Sequence, residues 1–176
     1  MSNFIVAYGW MLDFEDPDKH FLPHPDATPE GKTGPCMAIA GINSCEFPTQ
    51  YAAIAAAFFT DRGPLIQQFY KQKFWNGWLQ GILSDEVAKR VFDFSVNSGP
   101  SRATITLQEA INQVITVYHR PVIGTDGVLG PITVATANAC DPEALVKAFC
   151  NLRLEFYQSL PEWSLYGAGW KIRALA

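Results

Sequence analysis

The apolar residues of this chain recur mainly at the spacing of an α-helix. In residues 4–15, Tyr8, Met11 and Glu15 lie three or four positions apart and so share one face of a predicted first helix. Pro17 ends this helix because the residue before a proline is pushed out of helical geometry. The chain therefore begins with a helix whose last turn carries a carboxylate.

Helical spacing returns after Pro48 and continues through most of the chain. Ser84 and Asp141 are favoured N-cap residues, and Pro131 suits the first turn of a helix. The later predicted helices span residues 84–97, 100–118 and 142–160, with another beginning at Pro131. The pattern predicts a mainly α fold.

Residues 17–48 differ from the rest because they contain six prolines and three glycines. We expect a long loop after the first helix, with short strands near residues 37–42. An irregular loop of this length inside a compact domain is usually functional.

Composition and charge narrow the function. The 176 residues are 48% hydrophobic and 17% charged, which is typical of a globular domain. We expect neither a membrane-spanning segment nor a secretory signal. Residues 1–60 hold two basic and seven acidic residues, whereas a nucleic-acid-binding surface is basic, so we expect no nucleic acid partner.

The cysteines leave two interpretations open. No CxxC pair is present, so a zinc or redox motif is not supported, and neither a metal nor another cofactor is predicted. The chain could form two disulfides, in any of three pairings, or keep four thiols. A cysteine nucleophile paired with His20 or His24 is a weaker alternative because no local motif supports it. The four residues are Cys36, Cys45, Cys140 and Cys150.

Glu15 is the leading candidate for acid–base chemistry. The carbonyls of a helix C terminus and the neighbouring acids disfavour a charged carboxylate there, which suits a general acid. Asp26 lies in the loop eleven residues later and could act as the second carboxylate of a glycosidase. Thr33 could position water, and Glu30 competes for either carboxylate role.

Further candidates could contact a substrate or simply stabilise the fold. Asp93 and Asn97 are four residues apart and share a helix face, where they either line a cleft or brace the structure. Tyr51 and Trp75, together with Trp78, offer aromatic faces on which sugars stack, although most aromatic residues pack in the core.

The order of these motifs resembles glycoside hydrolase family 108, the phage and bacterial N-acetylmuramidases with a lysozyme-like fold. The resemblance spans nearly the whole chain, and FDFSVNSGP is its most specific stretch. It is carried by FE at 14–15, PD at 25–26, GIN at 41–43, FPTQY at 47–51, FDFSVNSGP at 92–100, DGVLGPIT at 126–133, LPEW at 160–163 and GW at 169–170.

The resemblance implies hydrolysis of the β-1,4 bond between N-acetylmuramic acid and N-acetylglucosamine in peptidoglycan. Glu15 would be the general acid, while Asp26 and Thr33 carry over by approximate position. Residues 1–100 would form the catalytic region, and residues 101–176 a helical peptidoglycan-binding-like region packed against it.

One departure supports an alternative. The family's E-G-G-Y motif reads Glu15, Asp16, Pro17, Asp18 here, so a non-catalytic peptidoglycan-binding relative is the competing hypothesis. Without a signal peptide, we expect synthesis in the cytoplasm and action in the periplasm or at the cell wall, as a phage endolysin or a secreted effector. An effector would have a cognate immunity or inhibitor protein as a partner.

Overall fold

The computed structural model describes residues 1–117, 119 and 121–176 and divides into two compact units, Met1–Ala7 with Phe74–Ala176, and Tyr8–Lys73. Within the described residues, the mainly α fold that the sequence predicts is confirmed. The elements are α1 (Phe4–Glu15), β1 (His24–Asp26), β2 (Cys36–Ile39), β3 (Ile42–Asn43), α2 (Pro48–Ala56), α3 (Phe59–Phe74), α4 (Gly77–Gln80), α5 (Asp85–Ser98), α6 (Pro100–Thr116), α7 (Pro131–Ala139), α8 (Pro142–Gln158) and α9 (Trp163–Leu175).

The unit Tyr8–Lys73 contains an antiparallel sheet in the order β1-β2-β3. Strands β2 and β3 confirm the short strands expected near residues 37–42, whereas β1 was not predicted. A two-residue turn joins β2 to β3, with Ala40 at φ 47° and Gly41 at φ 77°. Positive φ at both turn residues matches the right-handed twist of a tight hairpin.

The other unit is built mainly from α5, α6, α8 and α9 packed against one another. Two of these helices, α5 and α8, begin where the capping residues predict. The side chain of Ser84 accepts the N–H of Val87 at 3.3 Å, and that of Asp141 accepts the N–H of Ala144 at 2.8 Å. Helix α9 was not predicted, because three glycine and alanine residues at 167–169 obscure its helical pattern.

The division predicted at residue 100 stays a prediction. The assignment of residues 101–176 to peptidoglycan binding stays a prediction. The helix predicted over 100–118 ends at Thr116, and Tyr118 lies outside the described residues. Within the part of the chain that the structure describes, no helix is both long enough and apolar enough to cross a bilayer.

Candidate functional site

The side chain of Glu15 lies half-buried at the C-terminal end of α1. Met11 and Leu12 are almost completely buried on the preceding turn and fix the direction of this face. The Glu15 carboxyl group lies against Gly41, so closely that a Cβ atom built there would stand 2.9 Å from Glu15 Cδ. Glycine at this turn position therefore makes room for the carboxyl group.

Tyr70 anchors the turn that Glu15 contacts. The buried Tyr70 hydroxyl donates a hydrogen bond to the carbonyl oxygen of Ala40 at 2.6 Å. A positive φ is uncommon for a residue other than glycine, and Ala40 adopts one in this buried turn. Helix α3 thereby supports the backbone on which the Glu15 carboxyl group rests.

Asp26 occupies the exposed end of β1, opposite Cys36 of β2. Its Oδ2 accepts a hydrogen bond from Asn43 Nδ2 at 2.8 Å, and its Oδ1 accepts the N–H of Ala27 at 2.8 Å. Asn43 is 6% exposed and also accepts the N–H of Cys45 through its Oδ1. The orientation of Asp26 is therefore set by a buried amide on β3.

A disulfide between Cys36 and Cys45 closes the β2–β3 hairpin, with 5.7 Å between the two Cα atoms. Cys140 and Cys150 are free thiols. The structure thus contains one of the two disulfides that the sequence allowed, and it contradicts the alternative of four thiols. Gly41 and Asn43, which position the two candidate carboxylates, both lie inside the closed hairpin.

Hydrogen bonds to the Asp16 side chain support the segment after α1. The carboxylate of Asp16 accepts the N–H groups of His20 and Phe21, at 3.2 and 2.8 Å. Burial raises the pKa of Tyr8 to about 12, with a smaller contribution from the negative charge of Asp16. Asp16 therefore acts as a capping residue for the turn beyond Glu15.

Three other candidate residues belong to the same unit as Glu15 and Asp26. Thr33 is exposed in the loop that joins β1 to β2. Tyr51 lies half-buried on α2, and Glu30 is exposed in the same loop as Thr33. Their predicted roles toward substrate stay predictions.

Asp93 is corrected from a substrate-binding to a structural residue. It is completely buried and accepts hydrogen bonds from Arg153 at 2.6 Å and from Arg173 at 2.7 Å, so it joins α8 and α9 to α5. Asn97 is exposed, and its Oδ1 accepts the hydroxyl of Tyr157 at 2.7 Å. The bracing interpretation therefore accounts for the contacts of both residues.

Trp75 also packs in a core. It is 9% exposed, and its ring lies 5.6 Å from the rings of both Phe4 and Phe92. A sugar cannot stack on a ring enclosed in this way, so the predicted substrate contact is corrected. Trp78 is 48% exposed.

Among the described residues, no group of three or more His, Cys, Asp or Glu side chains could hold a metal ion.

Comparison with known proteins adds evidence on the fold. Neither a protein-family model nor a curated protein matches this chain. Among solved structures, SagA of Brucella abortus is similar, with 22% identity, a TM-score of 0.68, and coverage of 97% of this chain and 88% of that one. The two chains share a fold. The predicted mainly α, lysozyme-like fold is thereby confirmed.

The positioning roles of three residues of the site were not predicted from the sequence: Gly41, Asn43 and Tyr70. Their contacts with Glu15, Asp26 and the turn depend on pairs far apart in sequence. A signal for the turn was nevertheless present, since Gly41 follows an apolar segment directly and glycine is common in hairpin turns.

Proposed function

We propose that this protein hydrolyses the glycan strands of peptidoglycan at the β-1,4 bond between N-acetylmuramic acid and N-acetylglucosamine. The observation that carries the proposal is the placement of the Glu15 carboxyl group, half-buried against the β2–β3 turn at the end of a helix. The lysozyme-like fold also supports the proposed hydrolysis of peptidoglycan.

The second support is the contrast between two carboxylates in one unit. Glu15 is half-buried, whereas Asp26 is exposed and accepts two hydrogen bonds. Glycosidases use such a difference, because one carboxyl group must donate a proton while the other acts in its charged form. The proposal assigns the first role to Glu15 and the second to Asp26, as the family resemblance implies.

In the proposed reaction, Glu15 donates its proton to the glycosidic oxygen as the bond to the muramic acid carbon breaks. Water then attacks the same carbon and gives up a proton, either to Asp26, if Asp26 orients the water, or back to Glu15, if Asp26 instead stabilises the positive charge on the sugar ring. Asn43 holds Asp26 in position by donating a hydrogen bond to its carboxylate, and Tyr70 holds the turn that supports Glu15.

Digestion of purified sacculi tests this proposal. The products are reduced with borohydride and identified by mass spectrometry. Wild type should release muropeptides that end in reduced muramic acid, and Glu15→Gln should release none. Glu30→Gln is the matched control because Glu30 is an exposed rival in the neighbouring loop, and it should remain active. Full activity of Glu15→Gln would contradict the assignment.

The non-catalytic alternative keeps one observation in its favour, since Asp16 and Pro17 replace the glycines that follow the acid in the family motif. It predicts that the protein sediments with sacculi while releasing no reducing ends. We also propose that the protein acts outside the cytoplasm, because the Cys36–Cys45 disulfide is of the kind that persists in oxidising compartments.

A further inference from the structure

A groove of about 400 Å³ runs between α2 and α3 in the unit Tyr8–Lys73. The proposed hydrolysis uses none of the residues that line this groove. Its size falls within the range of pockets that bind small ligands. The residues that line it are Phe47, Gln50, Ala53, Ile54, Leu65, Gln68, Phe69, Gln72 and Lys73.

The groove has an apolar floor and a rim of carboxamides. Ile54 and Phe69 are 2% and 8% exposed and form the buried part of the lining. The rim carries the exposed amides of Gln50, Gln68 and Gln72. Carboxamides both donate and accept hydrogen bonds, so this rim suits the backbone amides of a bound peptide.

The length of the groove limits the size of the ligand. On α3, Leu65 and Lys73 mark its two ends, and eight steps along a helix cover about 12 Å. An extended peptide covers about 3.3 Å per residue, so the groove accommodates roughly three to four residues.

Charge further restricts the ligand. Lys73 is the only charged residue among the nine described residues that line the groove, although the unit as a whole has more acidic than basic residues. Its Nζ lies 5.5 Å from the centre of the Phe47 ring, which holds the ammonium group at the groove. A carboxylate on the ligand would meet a single positive charge there.

The groove also borders the candidate active site within α3. Phe69 lines the groove and packs edge-on against Phe47 at 5.0 Å. The next residue, Tyr70, anchors the turn under Glu15. A ligand held in the groove is therefore separated from the support of the catalytic turn by one layer of side chains.

We propose that this groove binds the stem peptide of peptidoglycan, a short peptide with small apolar side chains and free carboxylates. The proposal rests on the proposed function for the identity of the ligand, whereas its test does not require catalysis. Small apolar side chains occupy the floor, the backbone amides pair with the glutamines, and a carboxylate pairs with Lys73.

Calorimetric titration of the full chain tests the proposal with three probes: a muramyl tetrapeptide with free carboxylates, the same compound with its carboxylates amidated, and a peptide-free N-acetylglucosamine tetramer. Wild type should bind the free acid more tightly than the amidated form by up to about fivefold, the upper range for an exposed ion pair. The peptide-free tetramer should not compete for the groove.

Lys73→Gln should abolish this preference, whereas the matched control Lys71→Gln should keep it, because Lys71 is an exposed neighbour outside the groove lining. Gln68→Ala should weaken the binding of both muramyl tetrapeptides by the same factor. Equal binding of the free acid by Lys73→Gln and wild type, competition by the peptide-free tetramer, or no measurable peptide binding would each overturn the proposal.

The outcome stays separate from that of the proposed hydrolysis. The muramyl tetrapeptide contains no bond between two sugars, so its binding is read without turnover. Peptide binding by a protein that releases no muropeptides would refute the hydrolase and leave the groove assignment intact. Sacculus digestion by a protein that binds none of the peptide probes would refute the groove assignment and leave the proposed hydrolase intact.

Discussion

The sharpest test of the site is the substitution Gly41→Ala, because this glycine lies directly against the candidate catalytic acid. The new methyl group would stand 2.9 Å from Glu15 Cδ and 2.8 Å from the Tyr70 hydroxyl. The backbone also resists the change, since φ at Gly41 is 77°. The substitution therefore combines backbone strain with displacement of the Glu15 carboxyl group.

The two contributions have different magnitudes and different consequences. A left-handed conformation costs alanine about 1–2 kcal/mol of folding free energy. Ordinary contact begins at 3.4 Å, so the Tyr70 hydroxyl must retreat by about half an ångström, and Glu15 by about 1 Å because its Oε2 is the atom nearest to the new methyl group. A misplacement of about 1 Å can cost 10²-fold in rate, so we expect a loss of up to about 100-fold in activity.

Gly31→Ala is the matched control. Gly31 has nearly the same φ, 76°, but a methyl group there would meet nothing within 4 Å. Urea unfolding should show a loss of stability in both variants, with the larger loss in Gly41→Ala because Glu15 and Tyr70 must also move there. Sacculus digestion, measured at a temperature where both remain folded, should be reduced in Gly41→Ala alone.

The comparison contradicts the predicted role of Gly41 if Gly41→Ala digests sacculi at the wild-type rate. It does so equally if Gly31→Ala loses as much activity, because the defect would then follow backbone strain instead of contact with Glu15. A crystal structure of Gly41→Ala should show the shifted carboxyl group.

Three further predictions concern stability. Asp93→Ala should lower the free energy of unfolding in urea by about 3–5 kcal/mol, because it leaves two arginines without their buried counter-ion, whereas Asp13→Ala, which breaks an exposed ion pair, should cost less than about 1 kcal/mol. Reduction of the Cys36–Cys45 disulfide should cost about 2–3 kcal/mol and lower activity, as urea titrations with and without dithiothreitol would show. The pKa of Tyr8 is raised from 10 to about 12, so its stabilising contribution is complete below pH 10 and is lost as the pH rises to 12, and Tyr8→Phe should flatten this alkaline decline in unfolding free energy.

The helical part of the fold was predictable because its determinants are local. Pro17 and the three-to-four spacing of apolar residues mark the end of α1, which the structure places at Glu15. Ser84 and Asp141 cap α5 and α8 as their short polar side chains predict. Each of these signals acts between residues a few positions apart, so the ends of these helices can be predicted from the local sequence.

The corrections share a different cause. The sequence left two roles open for Asp93, because an acid among apolar residues can either line a cleft or brace the structure. Its partners Arg153 and Arg173 lie 60 and 80 residues away. Trp75 was an ambiguous aromatic residue until the structure enclosed it between two other rings. Neither partner set could be read from local spacing.

The placement of Glu15 and Asp26 follows a third pattern, in which one small element serves two functional groups. Gly41 leaves room for Glu15, and Asn43, two residues later, holds Asp26. Because the disulfide closes the same hairpin, a distortion of that hairpin alters the surroundings of both carboxylates together. Substitutions at Gly41 and Asn43 should therefore not be additive in their effects on activity, since residues that share a supporting element are energetically coupled.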